Sequence, residues 1–229
     1  MAKKQILTTG LGTVEPYAYL TKPDYGNEEK GFGNPRGVYK ASLTLSNTDP
    51  RCQSMIDSIV KLHEADYAER LEAHEANPPQ VQRGKKPLLP YVGDMPFMDN
   101  GDGTTTFKFA AYASYQDPKT RETKQINVGL FDSRGKRIET PPLFIGAGSK
   151  CKFKYSMFAY GWSNVAGASV KLQLDSVMLV ELATSQSSDG GWGDEVEEGG
   201  YVASSKPQEQ TWTEDDMSQN DAAGDDDDF

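Results

Sequence analysis

The sequence predicts a mainly β domain in which short strands form a small barrel and one long helix is inserted between them. Several segments alternate apolar and polar side chains with a period of two residues, as half-buried strands do. Glycine-rich turns separate these segments, and only one segment has a long helical periodicity. With 229 residues, 36% of them hydrophobic, the chain is long enough for one core and a region outside it.

The first strand and the helix are predicted next to each other. Residues 37–46, GVYKASLTLS, alternate between apolar and polar side chains. Asp49 can cap a helix that Pro50 opens, and the prolines after Asn77 end it. The apolar residues that recur at helical spacing are Met55, Ile56, Ile59, Val60, Leu62, Tyr67 and Leu71.

The remaining elements are predicted to be a basic loop and further strands. Residues 83–87, RGKKP, form the loop, and residues 95–117 form a hairpin. The turn of this hairpin is DNGDG (99–103), whose glycines tolerate positive φ angles. Further strands are predicted over residues 125–132, 150–160 and 168–182.

Charge is distributed unevenly along the chain. Of its 34 acids and 24 bases, 14 acids but only Lys206 among the bases lie in residues 183–229, which therefore carry −13. The other 20 acids and 23 bases give residues 1–182 a charge of +3. Because the acidic segment has few aliphatic residues, it cannot offset the entropy of ordering. We expect a folded domain over 1–182 and a disordered tail over 183–229.

No enzymatic or metal-dependent chemistry is predicted. Cys52 and Cys151 are expected to be buried, reduced thiols. His63 and His74 lie eleven residues apart on the helix, too far apart to bind one metal, and are expected at the surface. Without a nucleophile and base pair, a phosphate loop or a dinucleotide motif, we expect a non-enzyme that uses no metal and no cofactor. Without an apolar stretch of membrane-spanning length or a signal peptide, we expect no membrane partner and a cytoplasmic location.

A row of lysines suggests a binding surface. Lys150, Lys152 and Lys154 share one face of their strand at intervals of about 6.6 Å, close to the phosphate repeat of an extended nucleic acid. Cations that neutralise phosphates and rings that stack on bases together make a sequence-tolerant site for a single strand. The other candidates for this site are Arg36, Arg83, Lys108, Tyr112, Tyr160 and Trp162. The alternative is a solvated outer face whose aromatic residues belong to the core.

The tail ends in four acids and one ring. A flexible chain of 47 residues spans about 35–40 Å, against a radius of gyration of roughly 16 Å for the domain. The tail can therefore reach the basic face of its own domain and compete with a nucleic acid. The last ring suggests an anchor for partner proteins, toward which the acids steer. The alternative is that the acids only solubilise the protein. The proposed partner-binding residues are Asp225, Asp226, Asp227, Asp228 and Phe229.

Several long segments resemble one protein family. They are EPYAYLTKPDYGNEEKGFGNPRGVYK (15–40), GDMPFMDNGDGTTTFKF (93–109), GASVKLQLDSVMLVELAT (167–184), DEVEEGGYVAS (194–204) and the closing DDDDF. In this order they closely resemble the single-stranded DNA-binding protein of T-odd, T-seven-like bacteriophages. The resemblance implies an OB-fold, a five-stranded antiparallel barrel with the long helix inserted after the second strand, and a homodimer.

The resemblance also implies a function. It implies a protein of phage DNA replication, recombination and repair that coats single-stranded DNA and anneals complementary strands in the cytoplasm of the infected bacterial host. Its tail would contact the phage DNA polymerase and the helicase-primase. By resemblance, DNA-contacting roles fall on Lys3, Arg36, Arg83, Lys152, Lys154 and Tyr160. Ala110 stands where the family has a further lysine, so one phosphate contact is in doubt. The competing hypothesis is an acidic-tailed adaptor or chaperone that binds proteins and no DNA.

Overall fold

The fold is mainly β with one long helix, as predicted. The structure, a computed structural model, describes residues 5–79, 87–142 and 144–183. The strands in these ranges are β1 (Leu7–Thr8), β2 (Gly12–Val14), β3 (Tyr19–Asn27), β4 (Phe32–Ser46), β5 (Phe97–Asp99), β6 (Thr104–Tyr112), β7 (Ser114–Gln116), β8 (Thr123–Gln125), β9 (Gly129–Phe131), β10 (Lys150–Tyr160) and β11 (Ser169–Glu181). The helix α1 (Pro50–Ala76) lies between β4 and β5.

Helix α1 begins and ends where the sequence predicts. The side chain of Asp49 accepts a hydrogen bond from the backbone N–H of Arg51 at 2.8 Å, which satisfies one donor of the first turn. Asn77 is the C-cap of the helix, and two prolines follow it. The helix buries Cys52, Met55 and other residues against the sheet. This contact places the N-terminal turn of the helix beside β1.

Five strands pair in a closed sequence. The order of hydrogen-bonded neighbours is β10, β2, β4, β6, β11 and again β10. All of these pairs are antiparallel except β6 with β11, which are parallel where Leu172 lies beside Phe109. The prediction of purely antiparallel strands is therefore wrong. The reason is geometric: strand direction cannot alternate around a closed ring with an odd number of members, so at least one pair must be parallel.

The core lies between the inward faces of these strands. Phe109 meets Phe153 and Tyr155 edge to face, with ring centroids 5.2 and 5.4 Å apart. All three rings are buried, and burial of one such side chain stabilises the fold by about 1.5–3 kcal/mol. Cys52 and Cys151 are also buried and unpaired, as predicted. The alternate residues of the same strands point outward and carry the candidate site.

Short elements depart most from the prediction. The hairpin of β5 and β6 is confirmed, with Gly101 and Gly103 at φ angles of 77° and 83°. The strand predicted over residues 125–132 is interrupted, because Gln125 ends β8, which pairs with β7 in a separate sheet, and β9 begins only at Gly129. The segment looks like one continuous strand in the sequence, but its two ends pair with different strands, β8 with β7 and β9 with β11. The predicted tail lies outside the described residues except for Ala183, so its disorder stays a prediction.

Candidate nucleic-acid interface

The lysine row of β10 lies on the outward face, as its alternation predicts. Lys152 and Lys154 are at least partly exposed, whereas the neighbouring Cys151, Phe153 and Tyr155 are buried. Burial raises the pKa of Tyr155 to about 12, which is consistent with a phenol enclosed in the core. The buried hydrophobic residues between the lysines therefore hold the lysine side chains on the outward face of the strand.

Lys150 differs from the other two lysines of the row. Its Nζ donates a hydrogen bond to Oγ1 of Thr13 on β2 at 2.7 Å. This bond crosses between β10 and β2, where the two strands are paired. Lys150 thus has a structural contact that would have to be shared with a DNA phosphate.

Lys152 and Lys154 enclose a pocket together with the start of the helix. We call it the cationic pocket, with a volume of about 280 Å³. Arg51 adds a third cation, and its Nη1 donates a hydrogen bond to the carbonyl oxygen of Thr9 at 3.1 Å. The remaining lining residues are Thr8, Phe131, Gly135, Ser176 and Met178. None of these described lining residues is acidic, so the pocket concentrates positive charge without an internal counterion.

Arg51 is a site residue that was not predicted from the sequence. The sequence feature that could have revealed it is its position: Arg51 lies in the first turn of a helix, where the helix dipole disfavours cations, and that turn has no acidic residue. Such a residue is placed for something other than helix stability. The hydrogen bond to Thr9 and the position beside Lys152 supply that explanation.

A larger concavity, the central groove, lies on the outward face of β4, β6 and β11. Its volume is about 700 Å³. Each of the three strands contributes one lysine: Lys40, Lys108 and Lys171. Ala110 lies on the same face of β6, opposite Lys40, and lines this groove. The other polar and aromatic lining residues are Tyr17, Ser42, Asp94, Phe109 and Tyr160.

Lys40 already has a carboxylate partner. Its Nζ lies 2.6 Å from Oδ2 of Asp24 on the paired strand β3 and 5.0 Å from the ring centroid of Tyr19. The hydrogen bond from Lys40, followed by one from the amide of Gly26, holds the pKa of Asp24 below its ordinary value. An incoming phosphate must compete with this acid for Lys40.

Exposed rings stand around the central groove. Tyr160 is 40% exposed and Tyr17 is 85% exposed. Tyr17 has a φ angle of 64°, a backbone conformation that costs a non-glycine residue roughly 1 kcal/mol or more. Phe158, also exposed, lies opposite Lys171 across β10 and β11. The sequence analysis named only Tyr160, because nothing in the pattern distinguishes Tyr17 and Phe158 from core residues.

Tyr112 lies at the end of β6 and contacts two cations. The guanidinium carbon of Arg36 lies 3.7 Å from its ring centroid, and Nζ of Lys171 lies 4.5 Å from it. Burial, and then the nearby charge of Arg36, lower the pKa of Lys171. The structure thus brings together the predicted Arg36 and Tyr112 with Lys171, which the sequence analysis did not single out.

The structure separates Trp162 from the ring of Tyr160. Trp162 packs edge-on against Tyr67 and His74 of α1, with centroid distances of 5.8 and 5.7 Å. From the two-residue spacing one would expect Tyr160 and Trp162 on one face, but β10 ends at Tyr160 and the alternation ends with it. Trp162 fixes the helix to the sheet in this structure.

His63 and the potential metal ligands both bear on the chemistry predicted from the sequence. His63 is buried, with Nε2 3.2 Å from the carbonyl oxygen of Ala168, so its predicted surface position is wrong. It lies on the helix face that packs against the sheet. Among the described residues, no cluster of three or more potential ligands could hold a metal ion. No helix within the described ranges is long and apolar enough to cross a membrane.

Some predicted site residues lie outside the described ranges. They are Lys3, Arg83, Asp225, Asp226, Asp227, Asp228 and Phe229. Their roles stay predictions.

Comparison with known proteins gives a consistent result. Residues 11–182 match the family model described as single-stranded DNA-binding protein, bacteriophage T7. The chain is 64% identical over 231 residues to the single-stranded DNA-binding protein of Enterobacteria phage T3, covering 99% of this chain and 98% of that protein. It is 65% identical over 222 residues to the protein of the same name from Escherichia phage T7, covering 94% and 95%.

A solved structure agrees with these relatives. The crystal structure of gp2.5, a single-stranded DNA binding protein encoded by bacteriophage T7, superposes with a TM-score of 0.71 at 59% identity. The match covers 88% of this chain and 100% of that one. The family match spans the central groove and all lining residues of the cationic pocket except Thr8. The chain therefore belongs to the family of single-stranded DNA-binding proteins typified by that of bacteriophage T7.

Proposed function

We propose that this protein binds single-stranded DNA along the outward face of β4, β6, β11 and β10. The observation that carries the proposal is the combination of the cationic pocket and the ring-lined central groove on adjoining strands. Cations from both concavities would contact phosphates, and exposed rings would stack on bases of any sequence. Both family relatives are named for this activity.

The closed order of strand pairing supports an OB-fold as the scaffold. An OB-fold is a five-stranded, partly open barrel that presents one sheet face to oligonucleotides. The five strands that pair in a closed sequence here, with one helix between the second and third of them, fit that description. The β2 and β10 strands meet through only two residue pairs, as expected of a partly open barrel.

Within the groove, each kind of residue has a distinct task. Lys152, Lys154 and Lys108 would neutralise phosphates and release counterions, which makes affinity fall as salt rises. Tyr160 would hold a base by stacking, which depends weakly on salt. Lys3 and Arg83 would add further phosphate contacts, as the family resemblance implies. No cofactor or metal takes part in such binding.

A titration of oligo-dT at two salt concentrations tests the proposal. We expect the full chain to bind at both, more weakly at the higher salt, because each neutralised phosphate of a single strand contributes about 0.7 to the salt slope. A length-matched poly-anion without bases, such as polyphosphate, serves as control and should bind less tightly because it offers nothing to stack on. An adaptor that binds only proteins would bind oligo-dT at neither concentration.

We extend the proposal to a role in the infected cell, which the family membership supports. The protein would act in phage DNA replication, recombination and repair in the cytoplasm of the bacterial host. As a homodimer it could hold two complementary strands while its cations reduce their repulsion, and so promote annealing. An annealing assay with two complementary oligonucleotides tests this role, and a rate equal to that without protein would contradict it.

The tail would connect DNA binding to partner proteins. Residues 183–229 carry −13, so the tail can compete with DNA for the basic face and steer to basic partners such as the phage DNA polymerase and helicase-primase. Phe229 would anchor the contact. Deletion of Phe229 should speed dissociation from the polymerase, whereas Asp225–Asp228 changed to asparagine should slow association. Surface plasmon resonance gives both rates, and dissociation as slow as that of the wild type after loss of Phe229 would exclude the anchor.

A further inference from the structure

We infer that Tyr112 supports a phosphate site formed by Arg36 and Lys171, and that it does not serve as a stacking platform for a base. Lys171 thereby becomes a DNA-contacting residue. This inference rests on the proposed binding of single-stranded DNA.

The first step concerns access to the ring. A base stacks on an aromatic side chain only where a ring face is free. Arg36 and Lys171 lie 3.7 and 4.5 Å from the ring centroid of Tyr112, both within the range of a cation–π contact. A base that stacked on a ring face covered by one of these cations would have to displace it, and would lose both the cation–π contact and a nearby positive charge. Tyr160, by contrast, has no cation over its ring among the described residues.

The second step concerns the orientation of Arg36. Its Nε and Nη2 both donate to the carbonyl oxygen of Ser114, at 3.3 and 3.2 Å. The hydroxyl of Ser114 in turn donates to the carbonyl oxygen of Arg36 at 3.0 Å. These bonds and the ring of Tyr112 fix the guanidinium, which has five N–H donors in all. A fixed guanidinium loses little entropy when its remaining donors bind a phosphate.

The third step concerns the charge of Lys171. Lys171 is part-buried in the wall of the central groove, and no ion pair with a carboxylate is found for it within the described ranges. Burial, and then the charge of Arg36, lower its pKa, so an anion nearby would favour its charged form. A phosphate placed between Arg36 and Lys171 would supply that anion.

The fourth step concerns the path of the strand. Lys171 lines the central groove, whereas Arg36 lines a second cavity of about 530 Å³ with Ser114 and Tyr115. The two cations meet over the ring of Tyr112, so this ring lies where the two cavities adjoin. A single strand that leaves the central groove toward Tyr115 would carry a phosphate past both cations.

Oligonucleotides with and without bases distinguish a phosphate site from a stacking site. We would measure binding of the full chain to oligo-dT and to an abasic oligonucleotide of equal length, at about 50 and 200 mM salt. Tyr112→Ala should weaken binding to both ligands by a similar factor. Each lost phosphate contact lowers the salt slope by about 0.7. If both Arg36 and Lys171 lose their phosphate contacts in Tyr112→Ala, its loss of affinity relative to wild type should be up to about sevenfold smaller at the higher salt concentration than at the lower one. Tyr112→Phe keeps the ring and should bind like wild type.

Two further variants complete the test. Lys171→Gln changes a part-exposed residue and should lower the affinity for both ligands by a similar factor. Its loss of affinity relative to wild type should be about 2.6-fold smaller at the higher salt concentration than at the lower one. Tyr160→Ala is the matched control and should weaken binding to oligo-dT but not to the abasic ligand. A Tyr112→Ala loss confined to oligo-dT, or a Lys171→Gln salt slope equal to that of wild type, would overturn the inference while leaving DNA binding intact. Failure of the wild type to bind either ligand would overturn the proposed function as well.

Discussion

The cationic pocket and the central groove both include residues of β10 and β11, but they differ in what surrounds their cations. The pocket gathers Arg51, Lys152 and Lys154 with no acidic residue in its described lining. The groove has three lysines too, but Asp24 already pairs with one of them, and Asp94 lies in its wall. It also has the exposed rings. If DNA binds as proposed, the difference predicts that the pocket would contribute salt-dependent affinity, whereas the groove would combine stacking with phosphate contacts at lysines that already have an acid nearby.

The largest expected effect is the loss of a groove ring. Tyr160→Ala should cost about 1–3 kcal/mol of binding to oligo-dT, roughly 5- to 150-fold in affinity, because one base loses its stacking partner. The salt slope should stay as in wild type, since no phosphate contact is lost. Fluorescence anisotropy at four salt concentrations gives both quantities. Tyr160→Phe is the control and should retain most of the affinity. A slope that falls as it does in a lysine variant would show that Tyr160 acts on a phosphate.

The pocket should give the opposite result. Lys152→Gln combined with Lys154→Gln should lower the salt slope by about 1.4, because two single-strand phosphate contacts are lost. The loss of affinity relative to wild type should therefore shrink about sevenfold between about 50 and 200 mM salt. Lys61→Gln, exposed on α1 and in the lining of neither concavity, is the matched control. An unchanged slope in the double variant would remove the cationic pocket from the binding surface.

A smaller effect tests whether the groove is neutralised beforehand. Asp24→Asn frees Lys40 from its ion pair and should raise affinity for oligo-dT by less than about 1 kcal/mol, at most about fivefold, with the largest gain at low salt. Asp66→Asn is a close control, because Asp66 pairs with Arg70 on the surface of α1 at comparable exposure. Weaker binding by Asp24→Asn than by wild type would show that Asp24 positions Lys40 for DNA.

The smallest effect concerns acid. The pKa of Asp24 in the folded protein lies below its ordinary 3.8, chiefly because of the Lys40 hydrogen bond. Its stabilisation is thus fully present above the unfolded pKa and is lost as pH falls through the folded one. Urea unfolding of wild type and Asp24→Asn should differ by less than about 1 kcal/mol at neutral pH and converge in strong acid. The double lysine variant of the pocket should show no such convergence, and a constant Asp24 difference down to pH 2 would contradict the pairing.

Local patterns predicted the parts of this site that lie within one strand. Strand alternation placed Lys152 and Lys154 outward, because Cys151 and Phe153 between them must enter the core. A second local pattern, the capping residue Asp49 followed by Pro50, predicted the start of α1.

Contacts between elements could not be predicted in this manner. Nothing local indicates that Arg51 would lie beside Lys152, or that Arg36 and Lys171, which are distant in sequence, would share the ring of Tyr112. Trp162 was misplaced because alternation has no meaning beyond the end of β10. The parallel pair of β6 and β11 also depends on the closure of the whole sheet.

The two buried cysteines make the native chain nearly inert to thiol chemistry. Cys52 and Cys151 have no exposed surface, and burial raises the pKa of Cys151 to about 12. At neutral pH only about one Cys151 side chain in 10⁵ would be the reactive thiolate, even if a reagent could reach it. A single cysteine placed on an exposed position of α1, for example by Glu72→Cys, would therefore take a maleimide dye alone, with both native thiols left in place. The protein could then be followed on individual DNA molecules without any change to its core.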